Sequence, residues 1–327
     1  VLDIRTNILA DTDALYLTAI DKYGHELWRW TFPVNKLNQQ TEQLSPLSSR
    51  PTYTETENDL TVKANKRTFI FSKKDGQLKE VSVDNRKISF ANGPRFIGAR
   101  RADRSLDQFY NHDDEKAKEK DRTYSEFPDA AVFTKLDVKQ DGGDLIVTAN
   151  YKLGNLDKAQ WTINPSGDLA LDYTYNFSGV VDLMGIRFDY PEDQVISKRW
   201  LGAGPYRVWQ NRIHGTQYDV WENDYNDPIP GETFTYPEFK GYFGDVSWMN
   251  IQTKEGTISL TNETPDAYIG VYQPRDGRDR LLYTLPESGI SVLNVIPPVR
   301  NKVNSTDLCG PSSQPKWVNG PQTGRVI

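Results

Sequence analysis

Apolar and polar residues alternate with a period of two along most of this chain. Leu60-Thr-Val-Lys-Ala64 and Arg67-Thr-Phe-Ile-Phe71 read as strands, because alternate positions of an extended chain share one face. Asp75-Gly76 supplies a turn before Gln77-Leu-Lys-Glu-Val-Ser-Val83, and Asp84-Asn85 supplies another before Lys87-Ile-Ser-Phe90. Further strands are predicted at 145–151, 159–163, 169–175, 248–252, 257–260, 268–272 and 290–296, with the Asn164-Pro-Ser-Gly-Asp168 turn between two of them. No long stretch carries a helical apolar stripe, which disfavours parallel α/β folds. Short strands separated by Gly, Pro, Asn and Asp predict an all-β sandwich or barrel.

Two segments break this rhythm. Asn35 to residue 57 is polar and turn-rich, and reads as a linker. Before it, Ala14–Ile20, Lys22-Tyr-Gly24 and Glu26–Trp30 read as a hairpin. A lone hairpin is marginal in water, so it needs the main body or another domain as partner. The expected division is therefore 1–34, a linker over 35–57, and a main body over 58–327. The second break, Asp113 to Arg122, mixes both charges and reads as a solvated loop or short surface helix.

Composition narrows the function. Hydrophobic residues make up 37% and charged residues 26%, the balance of a globular chain rather than a disordered one. With 39 basic and 45 acidic residues the net charge is -6, which argues against nucleic acid as a partner. No apolar run is long enough to span a bilayer as a helix, so no membrane partner is expected. The sequence begins at Val1 with no signal-like segment and reads as a mature or excised piece of something longer. The single cysteine, Cys309, excludes an intrachain disulfide framework and a cysteine-based zinc cluster. Cysteine poverty suits a periplasmic or extracellular location. His25, His112 and His214 lack metal-ligand spacing, and no cofactor is expected. A calcium or sodium ion on the oxygen-rich run Asp219 to Asp227 stays open, although its spacing is not that of a calcium loop.

Aromatic residues are the unusual quantity. Twelve of the forty-nine residues from Trp200 to Trp248 are aromatic, about twice the chain average of 12%. Glycines and prolines interrupt this stretch, so many of the rings fall in loops. Rings beside Asp, Glu, Asn and Arg suit a sugar, which offers an apolar C–H face and a rim of hydroxyls. Glycoside cleavage would need two carboxyl groups about 5–5.5 or about 6.5–9.5 Å apart. Glu222, Asp224, Asp227, Glu232, Glu238 and Asp245 are candidates, but nothing in the spacing pairs any two of them.

At Trp200-Leu-Gly-Ala-Gly-Pro205, with Trp209, Asn211 and Arg212 following, the chain resembles the C-terminal domain of family 2 β-galactosidases. Gly185-Ile-Arg-Phe188, Pro237-Glu-Phe-Lys-Gly241 and the run from Thr68 to Leu78 are similar to further segments of that domain, in the same order. The resemblance covers about 58–327 and implies a large antiparallel β-supersandwich of the galactose-mutarotase-like type. It also implies that the N-terminal hairpin is left from a preceding immunoglobulin-like domain. In that family the catalytic glutamates sit on an upstream (β/α)8 barrel, and the terminal domain lends a loop to the rim of the active site.

What the resemblance implies is a non-catalytic, carbohydrate-associated domain whose partners are a sugar and an upstream barrel of the same polypeptide. Trp209, Trp221 and Trp317 are then the expected stacking rings, with Arg212, His214 and Glu238 as polar partners. The chain departs from the family near its end. Cys309-Gly-Pro-Ser-Ser-Gln314 stands where an acidic turn and a tryptophan are expected, with Trp317 three residues further on. Glu238 is displaced by one residue, and Arg100-Arg-Ala-Asp-Arg104 replaces the usual opening of the domain. Two other readings stay open. One is an autonomous lyase or epimerase of acidic sugars using His214, Tyr218 and Arg212; the other is a structural packing module.

Overall fold

The computed structural model describes residues 12–34, 49–101, 124–224, 241–271, 289–298 and 310–327. Its strands, in chain order, begin with β1 (Ala14–Ile20), β2 (Glu26–Pro33), β3 (Thr52–Glu55), β4 (Asp59–Ala64), β5 (Arg67–Ser72), β6 (Leu78–Val83) and β7 (Arg86–Ile88). Next come β8 (Ala91–Arg101), β9 (Tyr124–Glu126), β10 (Val132–Asp141), β11 (Asp144–Lys152), β12 (Leu156–Ile163), β13 (Leu169–Val181) and β14 (Leu183–Asp189). The last are β15 (Val195–Gly204), β16 (Gln217–Asp224), β17 (Trp248–Thr253), β18 (Gly256–Thr261), β19 (Tyr268–Val271), β20 (Ile290–Val295) and β21 (Lys316–Val326). Among the described residues there is no α-helix. The all-β expectation holds.

The strands form antiparallel sheets. A ten-stranded sheet runs β19-β20-β14-β8-β6-β5-β4-β3, with β7 on β6 and β9 on β8. A five-stranded sheet runs β10-β11-β12-β13-β21, and a four-stranded sheet runs β16-β15-β17-β18. The two large sheets bury their apolar positions against each other. Leu60, Val62 and Phe71 from one share a core with Leu145, Val147, Trp161 and Tyr175 from the other. The chain passes between these sheets at Asp182, which alone separates β13 from β14. Asp182 is 1% exposed and meets Arg100 Nε at 3.4 Å, so the buried carboxylate has a cation beside it.

The ten-stranded sheet is apolar on its other face as well. In β8, Phe96 faces the main core while Ile97 and Ala99 join a second cluster with Leu183, Leu293, Val208, Trp209 and Tyr242. Alternation across a strand that is covered on both sides gives an almost continuous apolar run. The 204–216 segment is seated on this second cluster.

Two departures from the sequence reading concern the ends of the main body. Thr52–Glu55, placed in the linker, pairs with β4 as an edge strand, so the sheet begins before residue 58. Its residues are all exposed, which removed the apolar signal that would have marked it. At the other end β21 pairs with β13 over its whole length. It then exchanges hydrogen bonds between Thr261 and Ile327, 2.8 and 3.0 Å long, and so ties the five-stranded sheet to β18. The N-terminal hairpin is present as β1 and β2, a two-stranded sheet of its own. It touches the main body where Tyr16 Oη donates to Asp219 and Arg29 Nη1 lies 3.8 Å from the same carboxylate.

The β17–β18 turn is latched by one carboxylate. Glu255 accepts hydrogen bonds from Ser89 N (3.0 Å), Ser89 Oγ (2.7 Å) and Tyr190 Oη (3.1 Å). Burial works to raise its pKa, but these donors together hold it below the usual glutamate value. A depressed folded-state pKa means the stabilisation is complete above the unfolded value and is lost as pH falls through the folded one. Glu255→Gln is therefore expected to cost about 1–3 kcal/mol at neutral pH and progressively less in acid. Urea melts at pH 7 and pH 3 check this; an equal cost at both would remove the charge from the explanation.

Candidate functional site

The Gly-x-Gly-Pro element explains itself sterically. A Cβ at Gly202 would stand 2.9 Å from Gly244 O and 3.0 Å from Asp245 O. One at Gly204 would lie 2.3–2.6 Å from three atoms of the Trp221 ring. These glycines admit two close approaches at the end of β15, one by backbone and one by an indole. The buried Trp200 Nε1 donates to Ala203 O at 2.9 Å and fixes the same corner from beneath.

The chain after Pro205 is anchored before it becomes exposed. Val208 and Tyr242 exchange N–H···O bonds of 2.8 and 2.9 Å. Trp209 is fully buried and meets Tyr242 edge-on at 5.6 Å. Arg212 N then donates to Trp209 O at 2.8 Å and closes a turn. Arg212, Ile213, His214 and Gly215 are exposed on that turn, and Tyr206 Oη donates to Gly215 O at 2.9 Å. Against it lies the C-terminal turn Gly310–Gln314. Gln210 Nε2 donates to Ser312 O (3.0 Å) and Gln314 O (2.7 Å), and Asn211 Nδ2 donates to Ser313 Oγ (3.0 Å). Trp317 follows at the start of β21 with 70% of its surface exposed.

The six expected site residues therefore divide. Arg212 and His214 share one exposed turn, and Trp317 follows the neighbouring turn with its ring in solvent. Trp209 is corrected from a stacking ring to a core residue, because packing in the second cluster leaves it no free face. Trp221 is half-buried, packed against the edge of the main core. Its ring lies on Gly204, and its N–H is engaged by Gly202 O at 3.2 Å and Gln217 O at 3.1 Å. Glu238 lies outside the described residues, as do Asp227 and Glu232. Gln210 was missed, and the 309–314 stretch was noticed only as a departure from the family pattern, not as its partner. The one available signal was a polar residue beside a loop tryptophan, and many surface residues share it.

For the proposed acid–base cluster, Tyr218 matters most. Its hydroxyl shares a 2.6 Å hydrogen bond with Ser247 Oγ, and burial raises its pKa further above the neutral range. The raised value opposes a role as a general base at neutral pH, and the Ser247 hydrogen bond, which works in the opposite direction, does not reverse it. Among the described residues no three His, Cys, Asp or Glu side chains converge in a way that could hold a metal ion.

These observations define an antiparallel all-β sandwich in which the loop after β15 and the Gly310–Gln314 turn lie against each other. The chain belongs to the family described as Beta galactosidase small chain, whose profile matches residues 63–295. Among solved structures the fold is similar to galactose 1-epimerase from Lactobacillus acidophilus NCFM. That likeness has 10% identity and a TM-score of 0.47, and covers 85% of this chain and 98% of the other. No curated protein matches the sequence.

Proposed function

We propose that this chain is a non-catalytic, carbohydrate-contacting module of a larger β-galactosidase-like glycoside hydrolase. On this reading the catalytic acid pair resides on an upstream barrel of the same polypeptide. The observation that carries the reading is family membership over residues 63–295. The rim supports it: the exposed Trp317 ring and the Arg212–His214 turn offer an apolar platform and polar groups at one edge. One ring stacked on a sugar removes enough C–H surface from water for about 1–2 kcal/mol at roughly 25 cal/mol per Å². Such a contact alone corresponds to millimolar affinity at best.

Titration of the chain with galactose, rhamnose and galacturonate, followed by tryptophan fluorescence, tests this. At least one sugar is expected to give a saturable change, and Trp317→Ala should abolish it while shifting stability by less than about 0.5 kcal/mol. A flat response to every sugar up to tens of millimolar would favour a second reading, a packing module. One observation already supports that reading. The hairpin leaves Leu17, Trp28, Trp30 and Phe32 between 45% and 52% exposed on one face, an apolar patch suited to another domain.

A further inference from the structure

Gln210 joins two loops that are a hundred residues apart in sequence. Its backbone belongs to the scaffold: Gln210 N donates to Pro297 O at 3.0 Å, just beyond β20, and its neighbour Trp209 is fully buried. From that base its carboxamide crosses to the C-terminal turn and spends both hydrogens there, on Ser312 O and Gln314 O. The two donors fix the amide orientation, because the oxygen cannot face two carbonyls. Side chains this buried and doubly bonded hold one rotamer, whereas the turn they reach is short. Its own bonds include Ser313 N to Gly310 O (2.8 Å) and Gln314 N to Pro311 O (3.2 Å).

We propose that Gln210 is a positioning residue, which holds the Gly310–Gln314 turn, and with it the approach to Trp317, in place before any sugar arrives. The proposal deepens the rim reading above and rests on it for its functional meaning. Preorganisation of this kind lowers the ordering cost of binding rather than adding a contact. Space-filling beneath the turn would need the volume of Gln210 but not its donors, and the two roles can be separated.

Three variants of the full 327-residue chain separate them. Gln210→Met keeps length and volume without donors. Gln210→Glu points carboxylate oxygens at two carbonyls, and Gln210→Lys restores donors to them. Amide hydrogen exchange at Ser313 and Gln314 is the readout, with exchange along β13 as the control for global stability. The Met and Glu variants are expected to exchange at the turn roughly tenfold or more faster, with β13 unchanged, and the Lys variant to stay within about threefold of wild type. Wild-type exchange in Gln210→Met would overturn the proposal, as would a Lys variant as fast as Met. If a sugar binds the wild type, its Kd should rise several-fold in Gln210→Met. If none binds, the rim reading falls, while the exchange data still decide whether Gln210 holds the turn.

Discussion

Trp161→Ala is expected to produce the largest loss of stability among the substitutions considered, about 3 kcal/mol. Trp161 is 2% exposed and sits between the two large sheets. Its ring centroid lies 5.9 Å from that of Phe71 on β5 and 5.9 Å from that of Phe188 on β14. Truncation leaves a cavity that neither sheet can close, since each is held in register by its own ladder. Tryptophan-to-alanine changes in cores cost about 3–5 kcal/mol. The lower end is expected here because the Trp161 Nε1 is buried without a hydrogen-bond partner, and removing an unpaired donor offsets part of the loss. Urea unfolding followed by far-UV circular dichroism measures it. A cost below about 1 kcal/mol would mean that the sheets do not pack on this ring.

The second large effect is expected from Gly204→Ala, at about 2 kcal/mol. The new methyl would overlap the Trp221 ring at 2.3–2.6 Å. The ring cannot retreat without giving up its bonds to Gly202 O and Gln217 O. Overpacking and a lost hydrogen bond therefore add. The origin is testable by a double-mutant cycle, because Trp221→Ala removes the obstacle. The two substitutions together should cost less than the sum of each alone by about 1 kcal/mol or more. Strict additivity would locate the strain elsewhere. Each glycine of the Gly-x-Gly-Pro element answers to a particular neighbour in this chain.

Much of the fold was legible because a strand covered on one face writes its pattern locally. Asp84-Asn85 is an example. Both residues adopt left-handed backbone, with φ of 50° and 64°, as a tight hairpin turn requires, and Val83 pairs with Arg86 across it. Strands without that signature escaped. β21 carries Gly320, Pro321 and Gly324 and reads as a loop, yet it pairs with β13 along eleven residues. Gly324 is required there because a Cβ would stand 2.3 Å from the Tyr173 hydroxyl oxygen. Only the neighbouring strand supplies that reason.

The candidate site was legible as a region but not residue by residue. Aromatic density drew attention to the segment after Trp200, yet density does not say which way a ring turns. Trp209 entered the core because Tyr242 and the outer face of β8 wait beneath it, whereas Trp317 had no such partner. The alternating pattern and the glycine motif, both properties of neighbouring residues, determined from sequence alone that the chain is an antiparallel all-β sandwich of this family. Which rings are buried, where the first edge strand starts and how Gln210 meets the last turn were decided by tertiary structure, since each depends on groups brought together from distant parts of the chain.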